Sequence, residues 1–513
     1  MTLTARHPIA APAVTPTSRL SLLGAMVRSK GVWALADQAV VSLGNFLTSV
    51  LLIRHWHGST QTFGQYALVF GVALFLNNVH AALVTYPLTV RGAASSPDGL
   101  RRMASSALAM GICLAPILML GLLAATIGAH RPSLLPFAAA AMLLWQAQET
   151  LRRALLARLR HRDALPGDAV SYVGQAVVIW LMTHRASGAT ITPEAAFAAI
   201  GLTSLAGALV QAWQLGVTPG GWASLKCSIG QSWRVGRWVL FSTLVGAIAT
   251  YASPWTLQGA AGAVAVARFS ALATMLNLTN PVMITVSGLI VPAVAAVRGQ
   301  GPGAVRRVTW RYALLGAVLL LPYLSGLILV PRLALRVFYG ADSPYLGLTL
   351  YLRVFAAGYA MTYGVMICTG VLNGLEQARG TFVAAFIAAA ATTVTTVPLA
   401  IRFGLIGATV GGIIPIILQL LAAGWMLRHA IGCVRKSGIP MPEIAKTGIA
   451  MPGIAMPGIE KPGIEKPGIA MPGIAMPGIA MPGIEKPEIA RPEIAKPQAA
   501  NAEFRDAPEC AVL

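Results

Sequence analysis

The stretch KGVWALADQAVVSLGNFLTSVLLIRHWHGSTQTFGQYALVFGVALF, residues 30–75, decides the fold. Within it, residues 32–53 form an apolar run in which Asp37 is the one ionisable side chain. About 20 such residues suffice to cross a bilayer as a helix. A short polar loop carrying Arg54 follows, and a second apolar run opens near Tyr66. At 100° per residue, Asp37, Gln38, Ser42, Asn45, Thr48 and Ser49 fall within an arc of about 140°. Val40, Leu43, Phe46, Leu47 and Val50 take the other side. Such a helix shows lipid one face and a polar cavity the other. The alternative is that its Ser, Thr and Asn side chains bond neighbouring helices.

The pattern repeats along the chain. Apolar spans are expected at 32–53, 66–88, 104–127, 134–150, 167–183, 194–215, 238–257, 264–294, 312–330, 345–371, 381–401 and 405–427. They are numbered 1 to 12 below. Composition agrees: 56% of residues are hydrophobic, 11% are charged, and mean hydropathy is +0.69. A soluble domain carries about 25% charge and could not cover a watery surface with less than half of that. The formal net charge is +21, which in a soluble chain suggests nucleic acid. Here the basic residues sit in short loops, so no nucleic-acid partner is expected. Counting Lys and Arg loop by loop up to Lys436 gives 23 on one side and 6 on the other. By the positive-inside rule both termini are cytoplasmic. The expected fold class is an all-α integral membrane protein, with about twelve helices in two six-helix lobes around a central cavity.

The expected organisation is a cytoplasmic tail over 1–30, a first lobe over 31–216, an interfacial linker helix over 217–237, a second lobe over 238–430 and a tail over 431–513. From Ser437 to Gln498 a five-residue unit repeats, as GIAMP, GIEKP, EIARP or EIAKP. Proline at every fifth position excludes helix and sheet interiors, so an extended, disordered tail is expected. The five cysteines are scattered with no CxxC pair, which argues against a zinc site or disulfide framework. No GxSxG, Walker or HExxH pattern occurs, so neither an enzyme nor a cofactor is expected.

Ionisable residues inside a membrane default to function or to pairing. Asp37 is the carboxylate best placed for ion coupling, and His80 in span 2 is a second candidate. Gln38, Asn45, Asn77 and Asn277 are candidate cavity residues. Arg268 and Arg353 lie in the outer third of spans 8 and 10. Either they snorkel to the interface, or they face the cavity and hold a phosphate. Asp168, Ser171, Tyr172 and Gln175 form one stripe of span 5. Glu149 with Arg152 and Arg153 reads as a local ion pair at a helix end.

Several motifs add a resemblance. IRHWHGSTQTFGQYALVFGVALF, with Arg54, Phe63, Gly64, Tyr66, Ala67 and Leu68, resembles the signature of Wzx-type polysaccharide flippases. ETLRRALLARLRHRDALPGD resembles that family's basic loop, and GVLNGLEQARGTFVAAF is its counterpart in the second half. RVFYGADSPY and RFGLIGATVGG resemble two further short elements. The resemblance covers roughly residues 20–430 and implies membership of the multidrug/oligosaccharidyl-lipid/polysaccharide exporter superfamily. It implies alternating access, and an undecaprenyl-pyrophosphate-linked glycan as substrate, on the way to O-antigen, capsule or exopolysaccharide. Membrane lipid and a polysaccharide polymerase or co-polymerase are the implied partners, in the bacterial inner membrane. The resemblance also implies cationic cavity residues, for which Arg268 and Arg353 are the candidates. The alternatives are a cation-coupled multidrug exporter of the same superfamily and a membrane-embedded glycosyltransferase or polymerase.

Overall fold

The computed structural model describes residues 30–56, 58–185, 191–217 and 225–436, and every regular element among them is helical. The expected tail before Lys30 and the pentapeptide tail lie outside the described residues. Among the described residues, ten helical stretches are long and apolar enough to cross a membrane. Two of these hold more than one span. In the run Leu225–Asn277, Gly262 adopts φ 73°, ψ −178°, and the chain reverses there. Its first part, 225–261, is span 7, and 263–277 is the first half of span 8. The second half, Asn280–Val297, follows a break at Leu278 and Thr279. Span 8 then follows span 10, Thr349–Gly374: Asn277 meets Tyr359 and Ile290 meets Gly370. In Ala378–Gly432, Gly404 at φ 58° reverses the chain between spans 11 and 12. There a Cβ on Gly407 would collide with Leu399 O, and Thr396 Oγ1 donates to Gly411 O at 2.8 Å. Only glycine takes these left-handed turns without strain. With Leu135–Ala157 as span 4, the count among the described residues is twelve.

Spans 4 and 5 are longer than their apolar cores predict. They run Leu135–Ala157 and 161–185, because the charged residues at their facing ends are neutralised inside the protein and need no water. The linker expected as a separate interfacial helix also differs: from Leu225 it runs into span 7 without a break.

The two halves repeat each other at the turn after spans 4 and 10. Leu159 (φ 56°) and Glu376 (φ 61°) are both left-handed. Arg160 N reaches Leu155 O at 3.1 Å, and Gln377 N reaches Leu372 O at 2.8 Å. These are matching Schellman closures, in which a turn beyond the helix satisfies its last carbonyls. Spans 2, 5 and 11 each contain a five-residue π turn: Ala81–Thr85, Ala169–Val173 and Thr392–Thr396. Nothing in local periodicity predicts them. The molecule is a multi-pass, two-lobed membrane protein.

Candidate functional site

A cavity of about 670 Å³ lies between the lobes. From the first lobe, Gln38, Ser42, Asn45, Thr48 and Ser49 of span 1 line it. They are five of the six residues on that helix's polar arc. Tyr66 and Phe70 of span 2 stack at 5.6 Å, and Phe70 stacks on Trp145 of span 4 at 6.3 Å. From the second lobe come Tyr251 and Trp255 of span 7, stacked at 5.8 Å, with Asn277 and Asn280 beside the break in span 8. Tyr359 donates its hydroxyl to Asn277 Oδ1 at 3.3 Å. Irregular backbone inside a membrane is tolerated where it lines a cavity, which is where this break falls. Among the described residues, no Asp, Glu, Lys, Arg or His lines the cavity.

The sequence candidates therefore divide. Gln38, Asn45 and Asn277 are in the wall. Arg268 and Arg353 are not: both are exposed, and Arg353 Nε donates to Ile328 O at 3.0 Å, closing the last turn of span 9, Pro302–Leu329. Depth along a span was the only guide to them, and depth does not say which way a helix faces. Asn77 is half-buried outside the wall, its Oδ1 without a partner. His80 is buried at the start of the first π turn, its ring against Gly111. Asp37, on the edge of the polar arc, turns away from the cavity.

Asp37 belongs to a buried ionic cluster inside the first lobe. Arg152 Nη2 lies 2.8 Å from Asp37 Oδ2, and its Nε lies 2.6 Å from Asp168 Oδ2. Its Nη1 is 3.4 Å from Glu149 Oε2, and Arg153 Nε is 2.6 Å from Glu149 Oε1. Gln148 and Gln211 each donate to Asp168 Oδ1, at 3.0 and 2.9 Å, and Ser171 donates to Gln148 at 3.1 Å. Spans 1, 4, 5 and 6 are thereby joined. Three carboxylates face one buried guanidinium and one half-exposed one. The buried Oδ1 of Asp37 has no hydrogen-bond partner. Of the span 5 stripe, Gln175 reaches the cavity, and Asp168 and Ser171 stay in the cluster. Arg152 was thus more than a local ion pair. The available signal was one intramembrane carboxylate in each of spans 1 and 5, with an arginine near the end of span 4.

No family model matches the chain, and no curated protein does. Solved structures do match. An inward-facing multidrug resistance MATE family transporter of the MOP superfamily superposes with TM-score 0.57 at 16% identity, over 82% of this chain and 99% of that one. The fold is that of the MOP superfamily transporters. The lipid II flippase MurJ, in an inward closed conformation, gives 0.58 at 12% identity over 79% and 90%. A MOP superfamily transporter from Pyrococcus furiosus gives 0.56 at 14% over 80% and 96%. This MOP fold unites drug transporters and a lipid flippase, so the fold leaves the substrate open and the site must decide it.

Proposed function

We propose that this chain flips an undecaprenyl-pyrophosphate-linked oligosaccharide across the bacterial inner membrane by alternating access, both termini cytoplasmic, for surface polysaccharide synthesis. One observation carries the reading. The polar, aromatic cavity shares Leu68 and Trp255 with a second, open and apolar groove of about 330 Å³, walled by Val72 and Phe75 of span 2 and by Gly121, Ala124 and Ala125 of span 3. A polar chamber wall to wall with an apolar groove suits an amphiphile, its glycan in one and its isoprenoid chain in the other. Coupling is assigned to the ionic cluster, where Asp37 carries the unpartnered oxygen.

The cluster's surplus of carboxylates also favours a second reading, a cation-coupled multidrug exporter of the same fold. Proteoliposomes separate the two. The flippase reading expects the purified chain to translocate a fluorescent prenyl-pyrophosphate disaccharide and to leave a cationic dye untransported. Dye export without lipid translocation would replace it with the exporter reading.

A further inference from the structure

We infer that the cavity recognises uncharged sugar rings and discriminates against glycans carrying a carboxylate at the ring it encloses. This rests on the flippase reading and adds a substrate class to it. The wall offers two kinds of surface. The stacked Tyr66–Phe70–Trp145 set and the Tyr251–Trp255 pair present flat π faces, on which the C–H face of a pyranose packs. Between them stand neutral side chains that both donate and accept.

A sugar hydroxyl needs a donor and an acceptor together, and an amide supplies both. Asn45, Gln175 and Asn277 are cavity-lining amides. Thr48 is in the same wall, its Oγ1 buried and without a partner. A carboxylate on the enclosed ring has the reverse needs, donors only and a counter-charge, whereas the carrier's pyrophosphate is common to every such lipid and drops out of the comparison. No cation lines the wall among the described residues, and the buried Arg152 is already held by three carboxylates. Moving an unpaired carboxylate into such a wall is strongly unfavourable. A volume of about 670 Å³ is within the ~300–1,000 Å³ of pockets that enclose small ligands, and holds a few sugar rings.

The test uses the full chain in nanodiscs and two probes, a prenyl-pyrophosphate disaccharide of neutral sugars and the same lipid with a uronic acid as its terminal ring. The neutral probe should bind at least about tenfold tighter, a factor set by roughly one and a half kcal/mol. Gln175→Lys and Asn45→Lys each place a cation in the wall, and at least one should raise uronate affinity relative to neutral by about tenfold. Equal affinities in the native chain, or a uronate preference, overturn the inference. Lysine variants that fold but leave the ratio unmoved also overturn it. A folded chain that binds neither probe overturns the flippase reading itself.

Discussion

Arg152 of span 4 lies 2.8 Å from Asp37 of span 1, 115 residues away in sequence. That contact decides what Asp37 can do. A carboxylate facing the cavity would touch substrate. One held by Arg152 senses the packing of spans 1, 4 and 5 instead. Removing the arginine would leave Asp37, Glu149 and Asp168 facing one another without their shared guanidinium. Stripping one partner from a buried ionic set costs about 3–5 kcal/mol. Arg152→Ala should therefore unfold at markedly lower temperature in detergent, read by scanning fluorimetry. Arg152→Lys should recover part of the loss, since an ammonium restores charge but not the fork that reaches three carboxylates. An unchanged melting temperature for Arg152→Ala would remove the cluster from any structural role.

Asp37→Asn tests coupling. The amide keeps shape and can still accept from Arg152, so the fold should survive. Transport in proteoliposomes should lose its dependence on an imposed ion gradient, while binding of the lipid-linked probe stays within about twofold, well under the tenfold that ~1.4 kcal/mol brings. Gradient-driven transport at the native rate in Asp37→Asn would move coupling elsewhere.

The polar arc of span 1 was legible in the sequence because helical periodicity is local: residues three and four apart share a face whatever surrounds the helix. Five of its six members reach the cavity. The sixth, Asp37, was misplaced because its partner is on span 4, and adjacency of spans is a tertiary fact. Arg268 and Arg353 failed as cavity candidates for the same reason. Both are exposed and neither is in the cavity wall. The hairpins at Gly262 and Gly404 lie in the predicted loops, and Asn280-Pro281 marks the break of span 8, whereas the π turns had no sequence signal.

Arg353 should then act on stability alone. It closes the end of span 9 through Ile328 O. Arg353→Ala is expected to lose about 0.5–1.5 kcal/mol, the worth of one ordinary hydrogen bond. Its affinity for the lipid-linked probe should match that of the native chain. A tenfold loss of affinity would return this arginine to the binding machinery.

Gly64 tests how closely the lobes approach. A Cβ there would collide with Ala263 O, beside the reversal at Gly262. No side-chain movement can relieve a clash with backbone. Gly64→Ala should push span 2 from the span 7–8 hairpin and lower the yield of folded protein. Gly128→Ala, where nothing lies within 4 Å, is the matched control and should express normally. Equal yields from the two variants would show that the contact is not close in the membrane.

Arg54 joins the lobes at the other end of span 1. Its Nε donates to Phe338 O at 2.6 Å and its Nη2 to Val337 O at 2.5 Å, the final carbonyls of the short helix Pro331–Tyr339. A cation at a helix C-terminus satisfies those carbonyls and opposes the helix dipole's negative end. Phe46 packs edge-on against Phe338 beneath it at 5.4 Å. Together they tie span 1, whose Phe46 lines the cavity, to that short helix on the face proposed as periplasmic. Arg54→Ala removes the hydrogen bonds and leaves the aromatic contact, so the closed arrangement should weaken without unfolding. In a cysteine-free background, Ser49→Cys on the cavity wall reports the change. An impermeant maleimide added from the periplasmic face should label it several-fold faster when Arg54 is alanine. Arg54→Lys should give an intermediate rate, because an ammonium keeps the charge but not the two-carbonyl fork. Identical labelling rates in all three chains would mean that the latch does not hold this face shut.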